Sequence, residues 1–362
     1  AAASLRLAVG VVLLVAAAAL PPQQAGLHRF AGGALGLGDA RKFKLGSLHT
    51  CHFEGVPSVL EPDAEGGYFF HSFTAAECEG GLPQGLCFSA LHSTYHCGED
   101  EQWSVLSPKE TRGPGMEWFN YRPCPKGLAN ITADFFCPTH EALPDLHSCF
   151  FRGAPQHLPM SPADMAEAAS YPDCTGPGRY RHVFESRDCF NGLPRPNRMC
   201  AVSLHHSEHC GGDHDWAVGN NTMPSRPGMT WFTSHTCEEA RVGADYWCPS
   251  DAKKRLHRCT YEGPGENDDE CISARVRHAN QPAQGRCFKH TFKASECSNG
   301  LPPPGAHCVV ALKEVAQCGQ EEDFKAVGPR DRADGKAMVR WWNAEPCGNA
   351  RVVVDYYCPE QM

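Results

Sequence analysis

The chain has 362 residues, a length that suits two or three ordinary domains. Its 21 cysteines, 35 glycines and 29 prolines indicate short strands, many turns and covalent links in place of a large core. The net charge of -9 without a cluster of Lys and Arg argues against nucleic acid as a partner, because phosphate neutralisation needs a basic face.

The first twenty residues predict the compartment. Arg6 precedes an apolar run from Leu7 to Leu20, and two prolines follow it. This run is shorter than the roughly 20 residues of a spanning helix, and it has the form of a secretory signal peptide with an Ala-x-Ala cleavage site at Ala17 and Ala19. We therefore expect a secreted, extracellular protein, with membrane attachment only if the leader stays uncleaved as a signal anchor. Residues 21–47 are expected to form a flexible lead-in.

Three segments share one pattern. Each begins with Leu-His-x-Cys, passes through Cys-x-x-Gly-Leu-Pro and Cys-Gly, and ends with Asp, two aromatic residues and Cys-Pro. The last cysteines of the pattern, Cys137, Cys248 and Cys358, are 111 and 110 residues apart. This repeat predicts three tandem cysteine-rich modules, at 48–138, 146–249 and 256–360. The short polar connections predict a semi-rigid string of modules.

Six cysteines recur in every module and form its predicted disulfide frame, whose pairing the sequence leaves open. These frame cysteines are Cys51, Cys78, Cys87, Cys97, Cys124 and Cys137; Cys149, Cys189, Cys200, Cys210, Cys237 and Cys248; and Cys259, Cys297, Cys308, Cys318, Cys347 and Cys358. Three more remain, of which Cys271 and Cys287 could close one extra loop. Cys174 would then be left over. It would be a free thiol, pair with another cysteine of the chain or form a disulfide with another chain.

Within a module the sequence predicts mainly β structure with little helix. The segment Arg351–Tyr357 is β-branched and aromatic, and Met116–Phe119, Met229–Phe232 and Met338–Trp342 each follow a turn, so all four are predicted strands. The apolar spacing within Val309–Gln317 predicts one or two helical turns instead. The predicted fold class is therefore small, disulfide-rich, mainly β modules in three tandem copies.

Aromatic residues recur in pairs. Trp118, Trp231 and Trp341 are predicted core residues, because repeated aromatics bury the most area in a small module. Their neighbours Phe119, Phe232 and Trp342 would point to the opposite face of a strand, and we treat them as a candidate contact surface.

A recurring aspartate precedes the terminal aromatics at Asp134, Asp245 and Asp355. The structural interpretation is a turn cap or a partner for an arginine. The functional alternative is an acceptor of hydrogen bonds from a sugar or a peptide.

No catalytic motif was found, neither a Gly-x-Ser-x-Gly elbow, nor His-Glu-x-x-His, nor a P-loop. The histidines of the second module, His205, His206, His209 and His214, have no counterparts in the third, so neither a metal site nor a cofactor is predicted. Asn130 and Asn220 begin N-glycosylation sequons, which would mark surface positions.

The third module resembles the sea-urchin-egg-lectin type, the rhamnose/galactose-binding lectin domain. The residues that carry the resemblance are Cys259, Glu262-Gly263, Cys271 to Asn280, Gly285-Arg286, Ala311 to Gly319, Glu345-Pro-Cys347 and Val353 to Pro359. The family has eight cysteines where the first module here has six. The resemblance implies a compact β-sandwich-like unit that binds carbohydrate, with Glu262, Arg286 and Glu345 at the matching polar positions.

We therefore expect a secreted, multivalent binding or adhesion protein whose partners are extracellular glycans or glycoproteins. The alternative is a structural component of a matrix, coat or filament, in which an odd cysteine supports self-association. A secreted enzyme is the third hypothesis.

Overall fold

The structure is a computed structural model. It describes residues 45–63, 66–95, 102–120, 129–158, 178–208, 213–219, 226–233, 237–268, 286–317, 321–343 and 350–359. The predicted leader, the greater part of the lead-in, Cys174 and Cys271 lie outside these ranges.

The described residues form 23 strands, one four-residue helix, α1 (Ala252–Arg255), and three 3₁₀ turns, so the predicted mainly β class is confirmed. The 3₁₀ turns are Leu143–Asp145, Ser186–Asp188 and Ala294–Glu296. In the first module the strands are β1 (Gly46–Gly55), β2 (Ser58–Asp63), β3 (Gly66–Ser72), β4 (Cys78–Glu79), β5 (Phe88–Tyr95), β6 (Gln102–Leu106), β7 (Gly115–Asn120) and β8 (Ala129–Pro138). In the second they are β9 (Leu146–Gly153), β10 (Gln156–Leu158), β11 (Gly178–Val183), β12 (Cys189–Phe190), β13 (Ala201–Glu208), β14 (Asp213–Gly219), β15 (Gly228–Thr233) and β16 (Ala240–Trp247). In the third they are β17 (Leu256–Gly263), β18 (Glu266–Asn267), β19 (Arg286–Thr291), β20 (Val309–Gln317), β21 (Glu321–Val327), β22 (Met338–Asn343) and β23 (Ala350–Tyr357).

Each of the three sheets is shared by two modules. Sheet A has the order β18-β19-β22-β21-β5-β8-β1-β4 and joins the third module to the first. Sheet B, β12-β9-β16-β13-β6-β7-β3-β2, joins the second to the first, and sheet C, β10-β11-β15-β14-β20-β23-β17, joins the second to the third. The strand pairs at the three junctions are β21 with β5, β13 with β6, and β14 with β20.

The expected string of modules is therefore wrong, because strand pairing joins the modules pairwise into a closed ring. Each module contributes one half-sheet to each of two sheets. A half-sheet by itself would expose an edge with unpaired backbone groups, and pairing with the next module covers that edge.

Six disulfides in the described part of the chain follow one rule in all three modules. The first frame cysteine pairs with the second, and the third pairs with the sixth. The bonds are Cys51–Cys78, Cys87–Cys137, Cys149–Cys189, Cys200–Cys248, Cys259–Cys297 and Cys308–Cys358. Cys237 and Cys287 are disulfide-bonded as well.

The predicted tryptophan core is confirmed. Trp118, Trp231 and Trp341 are 1%, 1% and 2% exposed. Each stacks on the aromatic residue at the same position of its module: Phe69, Tyr180 and Phe288, respectively. This stacking explains why the sequence keeps an aromatic residue at both positions.

A second, smaller core lies where the three modules meet. Its centre is formed by Phe136, Trp247 and Tyr357, one from each module. Their ring centroids are 5.0, 5.4 and 6.1 Å apart, within the range of favourable aromatic pairs. The terminal aromatic residues of the repeat therefore hold the modules to one another.

The helix predicted at Val309–Gln317 is wrong, because this segment is the strand β20. A β-bulge between Leu312 and Glu314 inserts one residue into the pairing with β23. Leu312 and Val315 consequently face the same core although they are three residues apart, which is a helical spacing. Corresponding bulges lie between Leu91 and Ser93 and between Leu204 and His206.

Candidate functional site

The recurring aspartates connect each module to another. Oδ2 of Asp134 accepts a hydrogen bond from the backbone N–H of Val310 at 2.8 Å. Asp245 accepts one from Ser89 at 2.9 Å in the same way. The third is Asp355, which accepts one from Val202 at 3.0 Å. Because each donor belongs to a different module from its acceptor, the three bonds run around the ring.

The partners of these carboxylates differ between modules. Thr50 donates to Asp134 at 2.7 Å, and His92 Nδ1 lies 3.3 Å from the same carboxylate. Arg258 donates two hydrogen bonds to Asp355, at 2.6 and 2.7 Å. The predicted pairing of this aspartate with an arginine is thus confirmed in the third module. All three aspartates are at most 2% exposed, so they serve the framework.

A second repeated cluster was missed in the sequence. His71, His182 and His290 stack on Phe53, Phe151 and Tyr261, respectively, with ring centroids 3.5, 3.5 and 3.6 Å apart. Each imidazole also lies 2.9–3.4 Å from a carboxylate, that of Glu77, Asp188 and Glu296, respectively. The signal that could have found it is the spacing His-x-Phe-x-x-x-Asp/Glu-Cys, which occurs in all three modules.

These carboxylates also close a turn. Glu77 accepts hydrogen bonds from the backbone N–H and the hydroxyl of Thr74. Burial opposes ionisation of Glu77, but hydrogen bonds from Thr74 and His71 outweigh it and lower its pKa. The backbone N–H groups of Glu185 and Lys293 bind Asp188 and Glu296 in the same way. The repeated histidines therefore also serve the framework.

Chemical differences between the modules appear on the outer faces of the sheets. Residues next to the core tryptophans point away from the core because side chains alternate along a strand. In sheet A, one cross-strand row runs through Lys289, Arg340 and Lys325 to Ser93 of the first module. We call these four residues the cationic row.

The equivalent rows of the other sheets carry different side chains. In sheet B the row is Phe70, Glu117, Ser104 and His206. In sheet C it is Arg181, Thr230, Ala217 and Glu314. Three adjacent cations therefore occur at these positions only in sheet A.

A cavity of about 440 Å³ opens on the cationic row. Two strands and the connection between them line it: Lys325, Val327, Asp331, Arg332, Ala333, Asp334, Met338 and Arg340. Its volume lies within the range of about 300–1,000 Å³ that is usual for small-ligand pockets.

Most charges around the cavity are paired. Arg340 lies 2.5 Å from Asp268, a fully buried carboxylate that is also 3.5 Å from Lys289. Arg332 donates two hydrogen bonds to Asp334, at 2.7 and 2.6 Å. Lys325 is exposed, and none of the described residues forms an ion pair or hydrogen bond with it.

Desolvation in the cavity and the neighbouring charge of Arg340 lower the pKa of Lys325. The charge of Lys325 acts in turn on His52, which continues the cross-strand row beyond Ser93 through Thr132. Burial, followed by repulsion from Lys325, lowers the pKa of His52. The ammonium of Lys325 is therefore the cation most available to a ligand.

The described residues of the predicted carbohydrate site lie on strands of two sheets. Glu262 lies on β17 of sheet C, where it forms an ion pair with Arg351 at 3.1 Å. The backbone of Arg286 pairs with that of Asn343 in sheet A, and Trp342 pairs with Cys287 beside it. Glu345 and the side chains of Arg286 and Trp342 lie outside the described parts.

The remaining predicted surface positions are partly described. Phe119 is half-buried, with its ring 5.1 Å from that of Tyr68. Phe232 lies on β15, but its side chain is not among those described. Asn130 is half-buried in β8, whereas Asn220 lies outside the described residues.

Two general features complete the description of the surface. No helix in the part of the chain that the structure describes is long and apolar enough to cross a bilayer. In the same ranges, no group of three or more His, Cys, Asp or Glu is arranged to hold a metal ion.

Comparison with known proteins gives one similarity. A stretch of 102 residues is 29% identical to a protein named Turripeptide OL55-like from Lophiotoma acuta. The matched stretch covers 28% of this chain and 82% of that relative. Its 102 residues are about the length of one module. No family model matches the chain, and no solved structure matches it either.

Proposed function

We propose that this chain is a secreted binding protein whose first-choice ligand is carbohydrate. The observation that carries the proposal is the division of labour between repeated and non-repeated residues. The recurring Cys, Trp, Asp and His residues hold the framework together, whereas equivalent outer positions differ from sheet to sheet. A constant framework with variable faces is typical of proteins that bind through their surface.

The disulfides support an extracellular location, since such bonds persist in oxidising compartments. The predicted signal peptide and the similarity to a Turripeptide OL55-like protein agree with secretion. The resemblance of the third module to rhamnose/galactose-binding lectins favours carbohydrate as the ligand.

The three sheet faces differ too much to be three copies of one binding site. Three copies of one site would place the same side chains at Lys325, Ser104 and Ala217, which occupy equivalent positions. We therefore propose that the sheet A face makes the main ligand contacts, and that the other faces bind different ligands or none. Linked contacts through several faces would still raise the overall affinity.

A glycan array tests this function. The purified, oxidised chain should give saturable signals on a subset of glycans. The same chain reduced and alkylated serves as the control, and its signals should disappear because the framework is lost. A correctly oxidised chain with no signal above background on any glycan would remove the carbohydrate proposal.

A further inference from the structure

We propose that the cavity in sheet A binds the oxyanion of an acidic sugar residue, a carboxylate or a sulfate, through Lys325 with Arg340 and Arg332 beside it. This inference rests on the proposed carbohydrate function and adds the chemical class of the ligand. It also places the site on the third module, on its strands β21 and β22.

The strand register creates the site. Lys325 and Arg340 are direct cross-strand partners, and so are Val327 and Met338 one step along the same face. The register therefore places two cations beside two apolar side chains, of which Val327 is 4% and Met338 2% exposed. The connection from Asp331 to Asp334 closes the opposite side.

The distribution of charge selects an anion. Asp268 and Asp334 already neutralise much of Arg340 and Arg332. Lys325 forms no ion pair with a described residue, and it lies next to Arg340, a like charge. Asp331 on the cavity wall attracts it only in part, because burial and Arg340 together still lower the pKa of Lys325. An oxyanion placed between them would pair with Lys325 and relieve this repulsion, whereas a neutral sugar would do neither.

The equivalent positions show that Lys325 does not serve the framework. Ser104 and Ala217 replace Lys325 in the other two sheets, and Glu117 and Thr230 replace Arg340. Both other sheets form the same strand pairs without these cations. Lys325 is therefore not needed for this strand pairing, whereas Arg340 also neutralises the buried Asp268. A ligand is the simplest reason for the presence of Lys325.

His52 provides a reporter within the same sheet. Repulsion from Lys325 contributes to lowering the pKa of His52. An anion bound at Lys325 cancels part of that repulsion, so the pKa of His52 should rise. Substitution of Lys325 by Gln should raise it in the same direction without ligand.

The test uses the oxidised full-length chain and three probes at low ionic strength: methyl glucuronide, methyl glucoside and inorganic sulfate. Isothermal titration calorimetry gives affinities, and NMR titration gives the pKa of His52. Methyl glucuronide should bind at least about tenfold more tightly than methyl glucoside, because the two differ only in the carboxylate. Inorganic sulfate should bind more weakly than methyl glucuronide.

Three variants locate the site. Lys325→Gln should weaken methyl glucuronide binding at least about tenfold, and Lys325→Arg should retain it. Lys109→Gln removes the same charge from an exposed position outside the cavity and should leave the affinity unchanged. Thermal unfolding of each variant checks that the fold is intact.

Several results would overturn the inference. Equal affinities for methyl glucuronide and methyl glucoside would refute the anion site and leave the proposed carbohydrate binding standing. Sulfate binding as tight as that of the glucuronide would indicate an anion site that does not recognise sugar. No saturable binding of any probe, with glycan signals on the array intact, would refute this site and leave the proposed function standing.

Discussion

Asp134 in the first module accepts a hydrogen bond from the backbone N–H of Val310 in the third, at 2.8 Å and across 176 residues of chain. The bond is buried, and its two counterparts join the other pairs of modules. The three modules, which follow one another in the sequence, are thus bound together by an aspartate that occurs at the same position in each of them.

Replacing Asp134 by Ala should destabilise the whole ring. The buried N–H of Val310 would lose its acceptor, at about 1–3 kcal/mol. The hydroxyl of Thr50 would lose its bond to Asp134 and keep His307, 3.2 Å away, as a partner. Asp134→Asn keeps one acceptor oxygen and should cost less. Guanidinium unfolding measures both, with Glu110→Ala at an exposed position as the control. Equal stability of Asp134→Ala and the control would contradict this role.

The core between the modules should contribute as much to the free energy of unfolding as the core within them. Trp247 is completely buried and contacts Phe136 and Tyr357 from the other two modules. Trp247→Ala should reduce the free energy of unfolding by about 3–5 kcal/mol. Phe190→Ala, at a position that is 46% exposed, is the control and should have little effect. Two separate thermal transitions in the Trp247 variant would show the modules unfolding independently.

The protein should lose stability as the pH falls below 6.5. Burial lowers the pKa of His205 from the usual 6.5, more than the nearby Asp245 and Glu110 raise it, and His206 lowers it further. Desolvation is also the largest cause of the lowered pKa values of His52, His147, His182 and His307. The unfolded chain binds protons more readily at these histidines than the folded chain does. The free energy of unfolding therefore decreases as the pH falls below 6.5.

Urea unfolding between pH 8 and pH 5 measures this dependence. His205→Gln removes one of the groups and should make the slope shallower, by at most about 1.4 kcal/mol per pH unit. A stability that rises as the pH falls from 6.5 to 5 would contradict the assignment.

Disulfides at equivalent positions of two modules should contribute equally to the free energy of unfolding. Cys87–Cys137 and Cys308–Cys358 each close a separation of 50 residues and occupy the same place in their modules. Replacing both cysteines of either pair by Ala should cost about 2–5 kcal/mol, since the unfolded chain gains freedom. The two double variants should agree within about 1 kcal/mol in guanidinium unfolding. A loss confined to one of them would show that the modules are not equivalent.

Local features of the fold were predictable from the sequence. The strands around Trp118, Trp231 and Trp341 and the burial of these side chains follow from β-branched and aromatic composition. The error at Val309–Gln317 has a physical cause, because the bulge at Lys313 shifts Val315 onto the face of Leu312 and imitates a helical period.

The arrangement of the modules was not predictable in the same way. A period of about 110 residues identifies the units, but it does not reveal that β13 pairs with β6 of another module as well as with β16 of its own. The candidate site depends on that arrangement, because Lys325 lies between Arg340 of its own module and Ser93 of the first. Residues that differ between the repeats were also absent from any motif, so no sequence signal marked them.

The central claim is that disulfides within each module hold three equivalent folds, on which the binding faces are built. Mass-spectrometric mapping of the unreduced chain tests it most directly. The account predicts the six linkages Cys51–Cys78, Cys87–Cys137, Cys149–Cys189, Cys200–Cys248, Cys259–Cys297 and Cys308–Cys358. Reduced thiols at these twelve cysteines, or linkages that join them between modules, would contradict it.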